Sequence, residues 1–202
     1  SSLFGTSRQS KRDLITEICA VLAFSAISNN DKVGVVFFSD NIEKYIPPKK
    51  GKSHILYIIR ELITMQPHRN AQTNIAVVLK FLNNIMKKRT ITFLMSDFVS
   101  TNYKPALQIA SKKHDLVGVH IYDACDESLP DVGIMQIEDS ETHTYQWVDT
   151  SSSAFQKQYK NQFDEIVKKT KSDFATSGAS LVSVRTDADY VKKLHLFFNS
   201  RR

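Results

Sequence analysis

Hydrophobic and polar positions along the chain alternate between helical spacing and short apolar runs. Between residues 11 and 29, Leu14, Ile18 and Leu22 fall on one helical stripe, which Ile15 and Cys19 widen. Similar patterns predict five further helices, over residues 54–65, 75–86, 104–113, 151–174 and 187–198. Ser151-Ser152-Ser153 favours a helix start at residue 151, because Ser is common at helix N-caps.

The apolar runs predict strands between these helices. Residues 32–38, 90–95 and 116–122 are nearly continuous and apolar, as expected of strands buried on both faces of a parallel sheet. Residues 42–46 alternate like an edge strand that Pro47 and Pro48 end, and residues 181–184 form a last strand. Alternating strands and helices predict an α/β three-layer sandwich with a doubly wound, mostly parallel sheet. Residues 132–137 and 144–148 add a β-hairpin to it.

Composition fits one globular domain spanning residues 1–202. The 42% hydrophobic and 24% charged fractions are ordinary for a globular protein. The sequence contains no run of eighteen apolar residues of the kind that spans a membrane. The net charge of +6 comes from basic pairs spread over loops and helix ends. With no basic motif interleaved with aromatic residues, this pattern favours a solvated surface over a nucleic-acid or membrane interface.

Several common chemistries lack their motifs. The cysteines, Cys19 on a helix face and Cys125 after a strand, have neither a CxxC partner nor metal-ligand spacing, which indicates a reducing, cytoplasmic setting. No phosphate-binding loop of the GxxxxGK[ST] or GxGxxG type occurs. The histidines are scattered and are predicted to be structural or exposed: His54, His68, His114, His120, His143 and His195.

Ligands of an open parallel sheet gather at the carboxyl ends of its strands, which makes polar residues there candidates. Ser1 precedes the first helix, Thr73 opens the third, and Asp97 follows a buried strand. Their hydroxyl and carboxylate oxygens suit Mg²⁺ or another small hard cation. The alternatives are that Thr73 is only a helix N-cap and that Asp97 lies in an ordinary turn.

An acidic cluster offers a different chemistry. Asp123, Asp126, Glu127 and Asp131 follow a predicted strand within nine residues. A pair of carboxylates could serve a hydrolase as general acid and base. A solvated loop explains the same residues and is the favoured interpretation.

The chain resembles the bacterial DUF58 family along nearly its whole length, and the order and spacing of the matching segments carry the resemblance. These segments are Ser1-Ser2-Leu3-Phe4-Gly5-Thr6, Asn30-Asp31-Lys32-Val33-Gly34, Phe38-Ser39-Asp40, Thr73, Phe93-Leu94-Met95-Ser96-Asp97-Phe98, Leu129-Pro130-Asp131-Val132-Gly133, Trp147-Val148-Asp149-Thr150 and Phe197-Phe198-Asn199-Ser200-Arg201-Arg202. The resemblance implies a von Willebrand factor A-like domain.

Such a domain implies a metal ion-dependent adhesion site. Ser1 resembles the final Ser of its D-x-S-x-S loop, Thr73 the Thr of its second loop and Asp97 the Asp of its third. The Asp and first Ser of that loop, and the strand before them, are absent from the sequence. We therefore expect this chain to be a fragment that lacks the first central strand of the domain.

The resemblance implies a binding module and not an enzyme. Mg²⁺, or Mn²⁺ or Ca²⁺, would be held by Ser, Thr and Asp oxygens, and an acidic side chain of a protein partner would complete its coordination. Genes of this family often neighbour MoxR-type AAA+ ATPases, which makes such an ATPase the expected partner. The alternatives are an interaction domain that works without metal and, less favoured, a hydrolase that uses Asp123.

Overall fold

The computed structural model describes residues 10–65, 73–138 and 145–201. The helices are α1 (Lys11–Ser28), α2 (Lys52–Thr64), α3 (Ile75–Ile85), α4 (Lys104–Lys113), α5 (Ala124–Glu127), α6 (Ser153–Ser177) and α7 (Tyr190–Asn199). The strands are β1 (Val33–Phe38), β2 (Ile42–Lys49), β3 (Ile91–Ser96), β4 (Asp115–Tyr122), β5 (Ile134–Glu138), β6 (Tyr145–Asp149) and β7 (Ser180–Arg185). Within those ranges, none of the helices has both the length and the apolar character needed to cross a bilayer.

A parallel sheet with the order β3-β4-β7 organises the fold. β4 is central and pairs with both neighbours in parallel, and six of its eight residues are buried. Such burial is typical of a parallel strand covered on both faces, and it explains the continuous apolar run that predicted this strand. The α/β class predicted from the sequence is confirmed, and the strands predicted over residues 90–95, 116–122 and 181–184 form the parallel sheet.

Helices cover both faces of β4. Successive side chains of a strand point to opposite sides, so β4 contributes to the core on each face. On one face, Leu116 belongs to a core cluster that contains residues of α3, α4 and α6. On the other, Val119 and Ile121 pack with residues of α1 and α7. Gly118 lies on the first face, where an added Cβ would come within 2.4 Å of the Phe174 ring. Position 118 must therefore lack a side chain for α6 to pack this closely against β4.

β1 and β2 differ from the prediction. They form their own antiparallel two-stranded sheet, although the apolar run of β1 suggested a place in the parallel sheet. β2 also continues through Pro47 and Pro48, which had been expected to end it. A register shift opposite Gly34 accommodates the prolines, and a Cβ at Gly34 would lie 2.8 Å from the Ile46 carbonyl oxygen. Prolines are tolerated at edge strands and bulges of this kind.

The predicted hairpin is present as β5 and β6, which pair only with each other among the described strands. Its base is tied down by Thr150, which is fully buried. The Thr150 hydroxyl donates to the Gly133 carbonyl at 2.7 Å and accepts from the Val132 amide at 3.0 Å. Gln156 of α6 then donates to the Thr150 and Leu129 carbonyls. These bonds fix the hairpin to the body of the protein at its base.

All six predicted helices are present, and their caps explain where several of them begin. Ser10 and Asp13 form a reciprocal capping box at the start of α1. Ser152 caps α6, and Gly178 ends it in the left-handed conformation at φ 73°. The sequence prediction missed α5, a single turn in the segment that had been interpreted as an acidic loop.

Candidate functional site

Asp97 lies in a tight polar turn directly after β3. Its Oδ1 accepts hydrogen bonds from the Val99 amide at 3.3 Å and from the Ser96 hydroxyl at 3.4 Å. Ser96 is buried, and its Oγ also accepts from the Phe98 amide at 3.1 Å. The turn therefore holds the Asp97 carboxylate at the carboxyl end of the parallel sheet.

Phe98 fixes this turn in an unusual backbone conformation. Its φ is 56°, in the left-handed region that bulky residues rarely adopt. Its ring is buried and meets Phe174 edge-to-face at 5.1 Å and Tyr103 at 6.2 Å between ring centroids. Such strain persists only where surrounding packing determines it, and it tends to concentrate at functional turns. Here the aromatic packing sets the backbone that presents Asp97.

Thr73 is half-buried and lies one residue before the N-cap of α3. The N-cap is Asn74, whose side chain accepts from the Val77 amide at 3.3 Å. The alternative that Thr73 itself caps the helix is therefore wrong. The Asn74 amide also donates to the Ser39 carbonyl at 2.8 Å, which ties the start of α3 to the turn after β1.

One core cluster connects these two candidate residues. Ile75, two residues after Thr73, and Phe98, the neighbour of Asp97, belong to the same set of packed buried side chains. Phe38, at the end of β1, packs against that set. Residues close in sequence to Thr73 and Asp97 therefore share one core cluster, while Ser1 lies outside the described residues.

His120 lies at the same end of β4, with 2% of its surface exposed. Its ring stacks on Tyr122 at 5.1 Å and lies 6.1 Å from the Phe98 ring. Its Nδ1 is 3.4 Å from the Ser183 hydroxyl oxygen. Burial lowers the pKa of His120 to about 4, although the nearby carboxylates of Asp97 and Asp126 act in the opposite direction. The ring is therefore neutral at physiological pH.

Asp123, directly after β4, is part of a buried hydrogen-bond network. Its side chain is 1% exposed and accepts from the Thr186 hydroxyl at 2.6 Å and from the Cys125 amide at 3.0 Å. Thr186 directly follows β7 and is itself buried. The network joins the carboxyl ends of two adjacent parallel strands, and it caps α5.

The remaining members of the acidic cluster are also engaged. Asp126 forms an ion pair with Lys11 at 2.6 Å, and the side chain of Lys11 is only 5% exposed. Glu127 lies 3.4 Å from Arg185, and Asp131 accepts from the Ser151 hydroxyl at 2.5 Å. Each carboxylate thus anchors one element to another. These contacts support a structural role for the cluster over a pair of carboxylates poised for hydrolysis.

Three residues of this region do not stand out in the sequence. Thr186 is a polar residue directly after a strand, as Asp97 is, but its role depends on the buried Asp123 that it contacts. His120 was classed only as structural or exposed; it is the buried ring between Asp97 and the Asp126 side of the network. Lys11 gives no sequence signal, because its burial depends on the distant Asp126.

The oxygen donors present fit a hard cation. Thr73 offers a hydroxyl and Asp97 a carboxylate, which are ligands that Mg²⁺ accepts together with water. In the described ranges, no group of three or more His, Cys, Asp and Glu side chains is arranged to hold a metal. A cation beside Asp97 would therefore have to rely on hydroxyl oxygens and water for most of its coordination.

The two cysteines are packed side chains. Burial raises the pKa of the Cys19 thiol to about 12, and its sulfur lies 3.5 Å from the sulfur of Met95. Cys125 is buried and belongs to α5. A protonated thiol is a poor nucleophile, so Cys19 is not suited to catalysis at neutral pH.

The chain is similar to curated mycobacterial proteins. An uncharacterized protein of Mycobacterium tuberculosis strain H37Rv is 25% identical over 205 residues, which cover 98% of this chain and 63% of that protein. An uncharacterized protein of Mycobacterium avium is 23% identical over 163 residues, covering 78% of this chain and 94% of its own length. The chain thus spans less than two thirds of the Mycobacterium tuberculosis relative.

Solved structures share the fold at low sequence identity. BatB from Bacteroides thetaiotaomicron superposes with a TM-score of 0.59 at 13% identity, covering 99% of this chain and 92% of that one. An aerotolerance-related membrane protein from Bacteroides fragilis gives 0.61 at 14% identity, with 98% and 92% covered. The family described as "Protein of unknown function DUF58" matches residues 1–169. The chain therefore belongs to the DUF58 family.

Proposed function

We propose that this protein is an interaction module that binds an acidic side chain of a protein partner through a divalent cation. Ser1, Thr73 and Asp97 would contribute oxygens, and Mg²⁺ is the expected ion, with Mn²⁺ or Ca²⁺ as substitutes. A site with a single carboxylate leaves one of the ion's two positive charges uncompensated, so the ion would attract a carboxylate from outside.

One observation supports this proposal above the others. Ile75, two residues after Thr73, and Phe98, next to Asp97, belong to one core cluster, and the Phe98 backbone is held at a strained φ of 56° by buried aromatic packing. A turn that only connected two elements would not require a bulky residue in that conformation. Presentation of the carboxylate to a ligand would explain it.

The finer fold assignment belongs to the same proposal. We place the described parallel sheet within a von Willebrand factor A-like, doubly wound domain. The partner would be a protein, with a MoxR-type AAA+ ATPase as the first candidate, in the cytoplasm. Under this proposal the module is not an enzyme and has no role for nucleic acid or membrane contact in this segment.

Isothermal titration calorimetry tests the cation. The protein is titrated with MgCl₂ and MnCl₂, alongside the variants Asp97→Ala and Thr73→Ala. We expect binding in the parent form, its loss with Asp97→Ala and a weaker affinity with Thr73→Ala. Asp31→Ala, which removes an exposed carboxylate before β1, is the matched control and should bind normally.

Two results would contradict this function. Absence of Mg²⁺ and Mn²⁺ binding in the parent form would leave an interaction domain that works without metal. Binding that survives Asp97→Ala would move the cation to other residues. A hydrolase would be indicated instead if phosphatase or esterase activity appeared and Asp123→Asn abolished it, although the burial of Asp123 gives no support to that outcome.

A further inference from the structure

Charge is strongly segregated along this chain. The 43 residues from His114 to Gln156 contain nine acidic residues and no Lys or Arg, although the whole chain carries 27 basic and 21 acidic residues. The opposite occurs between Lys44 and Arg60, where five basic residues occur without an acidic one. Four of the nine acidic residues are engaged within the fold, because Asp115, Asp126 and Glu127 pair with Arg201, Lys11 and Arg185, and Asp123 is buried. The other five lie between residues 131 and 149, the segment that contains the β5–β6 hairpin, and their charge favours contacts with a basic partner.

The acidic segment includes an apolar surface on the β5–β6 hairpin. The register places Gln136 opposite Trp147 and Ile134 opposite Asp149, so Ile134, Trp147 and Tyr145 share one face of the ribbon. Their exposed fractions are 71%, 70% and 64%, respectively. Asp131 and Asp149 flank the base of this face and are exposed. Exposed aromatic residues beside one another are typical of interface cores.

The basic segment includes a matching apolar surface on α2. Leu56, Tyr57 and Ile63 are 51%, 44% and 63% exposed, although the opposite face of this helix is buried in the core. Lys52 and Arg60 lie at helical spacing from Leu56 and are exposed, and Lys49 and Lys50 precede the helix. Glu61, the acidic residue of α2, is already paired with Lys44 at 2.7 Å.

We propose that these two surfaces bind each other between copies of the chain. The hairpin face around Trp147 of one copy would dock on the outer face of α2 around Leu56 in the next. Each surface joins exposed apolar side chains to charge of one sign, and the signs are opposite. Because two different surfaces meet, the contact is heterologous and would build a ring or an open chain of copies. The apolar patches are small, so the association would be weak and sensitive to salt.

Trp147 makes this proposal directly measurable, because it is the single tryptophan of the chain. Fluorescence and sedimentation velocity are recorded across a concentration series at low salt, in EDTA so that no cation site contributes. With rising concentration we expect the emission to shift to shorter wavelength, iodide quenching to fall about twofold as Trp147 enters an interface core, and the sedimentation coefficient to rise. High salt should raise the apparent dissociation constant about tenfold or more.

Charge reversal identifies the surface. Arg60→Glu on α2 should abolish the shift and the sedimentation change while leaving Trp147 in place. Lys168→Glu, an equal change of charge at an exposed position of α6, should leave both unchanged. In sedimentation, Trp147→Ser should remain monomeric at low salt.

The proposal is overturned if Trp147 emission and sedimentation do not depend on concentration, or if Arg60→Glu and Lys168→Glu behave alike. It is also overturned if Trp147 shifts only when vesicles of phosphatidylserine are added, because that would make the hairpin a membrane contact. Every measurement is made in EDTA, so failure of the association between copies does not bear on the cation-dependent function. Failure of cation binding likewise does not bear on the association between copies.

Discussion

The carboxyl end of the parallel sheet and the β5–β6 hairpin are both rich in acidic and aromatic residues, but they use them in opposite ways. At the sheet, Asp123 and His120 are buried, and Asp126 is paired with the buried Lys11. At the hairpin, Trp147 and Tyr145 are largely exposed. The same residue types therefore build a rigid centre in one region and an open surface in the other.

This difference has a thermodynamic consequence. A buried polar group without its hydrogen-bond partner costs about 1–3 kcal/mol, so each member of the sheet-end network depends on the others. Exposed side chains on a two-stranded ribbon bury little area on folding and contribute little to stability. Substitutions at the sheet end should thus change the free energy of unfolding, whereas those on the exposed face of the hairpin should change mainly association.

The largest effect is expected for Phe98→Ala. Phe98 is buried against Tyr103, His120 and Phe174, so truncation should lower the free energy of unfolding by about 3–5 kcal/mol. Urea denaturation followed by circular dichroism measures this loss. Val99→Ala, at the adjacent position that is 58% exposed, should change stability by about 0.5 kcal/mol or less. Equal effects at the two positions would remove the contrast between packed centre and surface.

An intermediate effect is expected from pH through His120. Its folded pKa of about 4 lies below the unfolded value of 6.5, so the unfolded state binds the proton first. The contribution to stability is complete above pH 6.5 and is lost as pH falls toward 4. Between pH 7 and 5 the ring should account for a loss of about 2 kcal/mol in the free energy of unfolding.

Variants separate this effect from other titrations. His120→Gln should reduce the pH dependence between pH 7 and 5, and His195→Gln, at an exposed position of α7, should leave it unchanged. Part of the pH dependence of stability should remain, because the pKa of His114 is also lowered. Its burial is the main cause, and the positive charges of Lys113 and Arg89 add to it. An unchanged slope in His120→Gln would mean that the ring is solvated and that the sheet end is open.

Local patterns predicted most of the fold, because helices and buried strands carry their periodicity in neighbouring residues. The helix over residues 104–113 was predicted to the residue. Strand partners could not be obtained in the same way. Whether β1 pairs with β2 or with β3 is decided by hydrogen bonds between distant segments, and the apolar run of β1 fits either arrangement. The bulge that admits Pro47 and Pro48 depends on Gly34 of the facing strand.

The candidate site was predictable only where its residues adjoin a regular element. Asp97 was identified because it follows a strand and Thr73 because it precedes a helix, and their neighbours Phe98 and Ile75 share one core cluster. Lys11 and Thr186 could not be connected to Asp126 and Asp123, because those contacts join residues more than sixty positions apart. Phe98 gave no signal at all, since backbone conformation at a single position is set by its tertiary packing.

The smallest change in stability is expected for Trp147→Ser, and it tests the hairpin side of the comparison. Trp147 is 70% exposed and its strand pairs only with β5 among the described strands, so removing the ring should alter the free energy of unfolding by about 0.5 kcal/mol or less. The measurement is urea denaturation by circular dichroism at high salt and low protein concentration, where association between copies does not add to stability. Met135→Ser, on the opposite and half-buried face of the hairpin, should lower the free energy of unfolding by more than Trp147→Ser does.

A loss above about 1 kcal/mol for Trp147→Ser would show that the ring packs against the body of the same molecule. The hairpin would then belong to the rigid part of the fold, and its aromatic face would not be free to meet α2 of another copy.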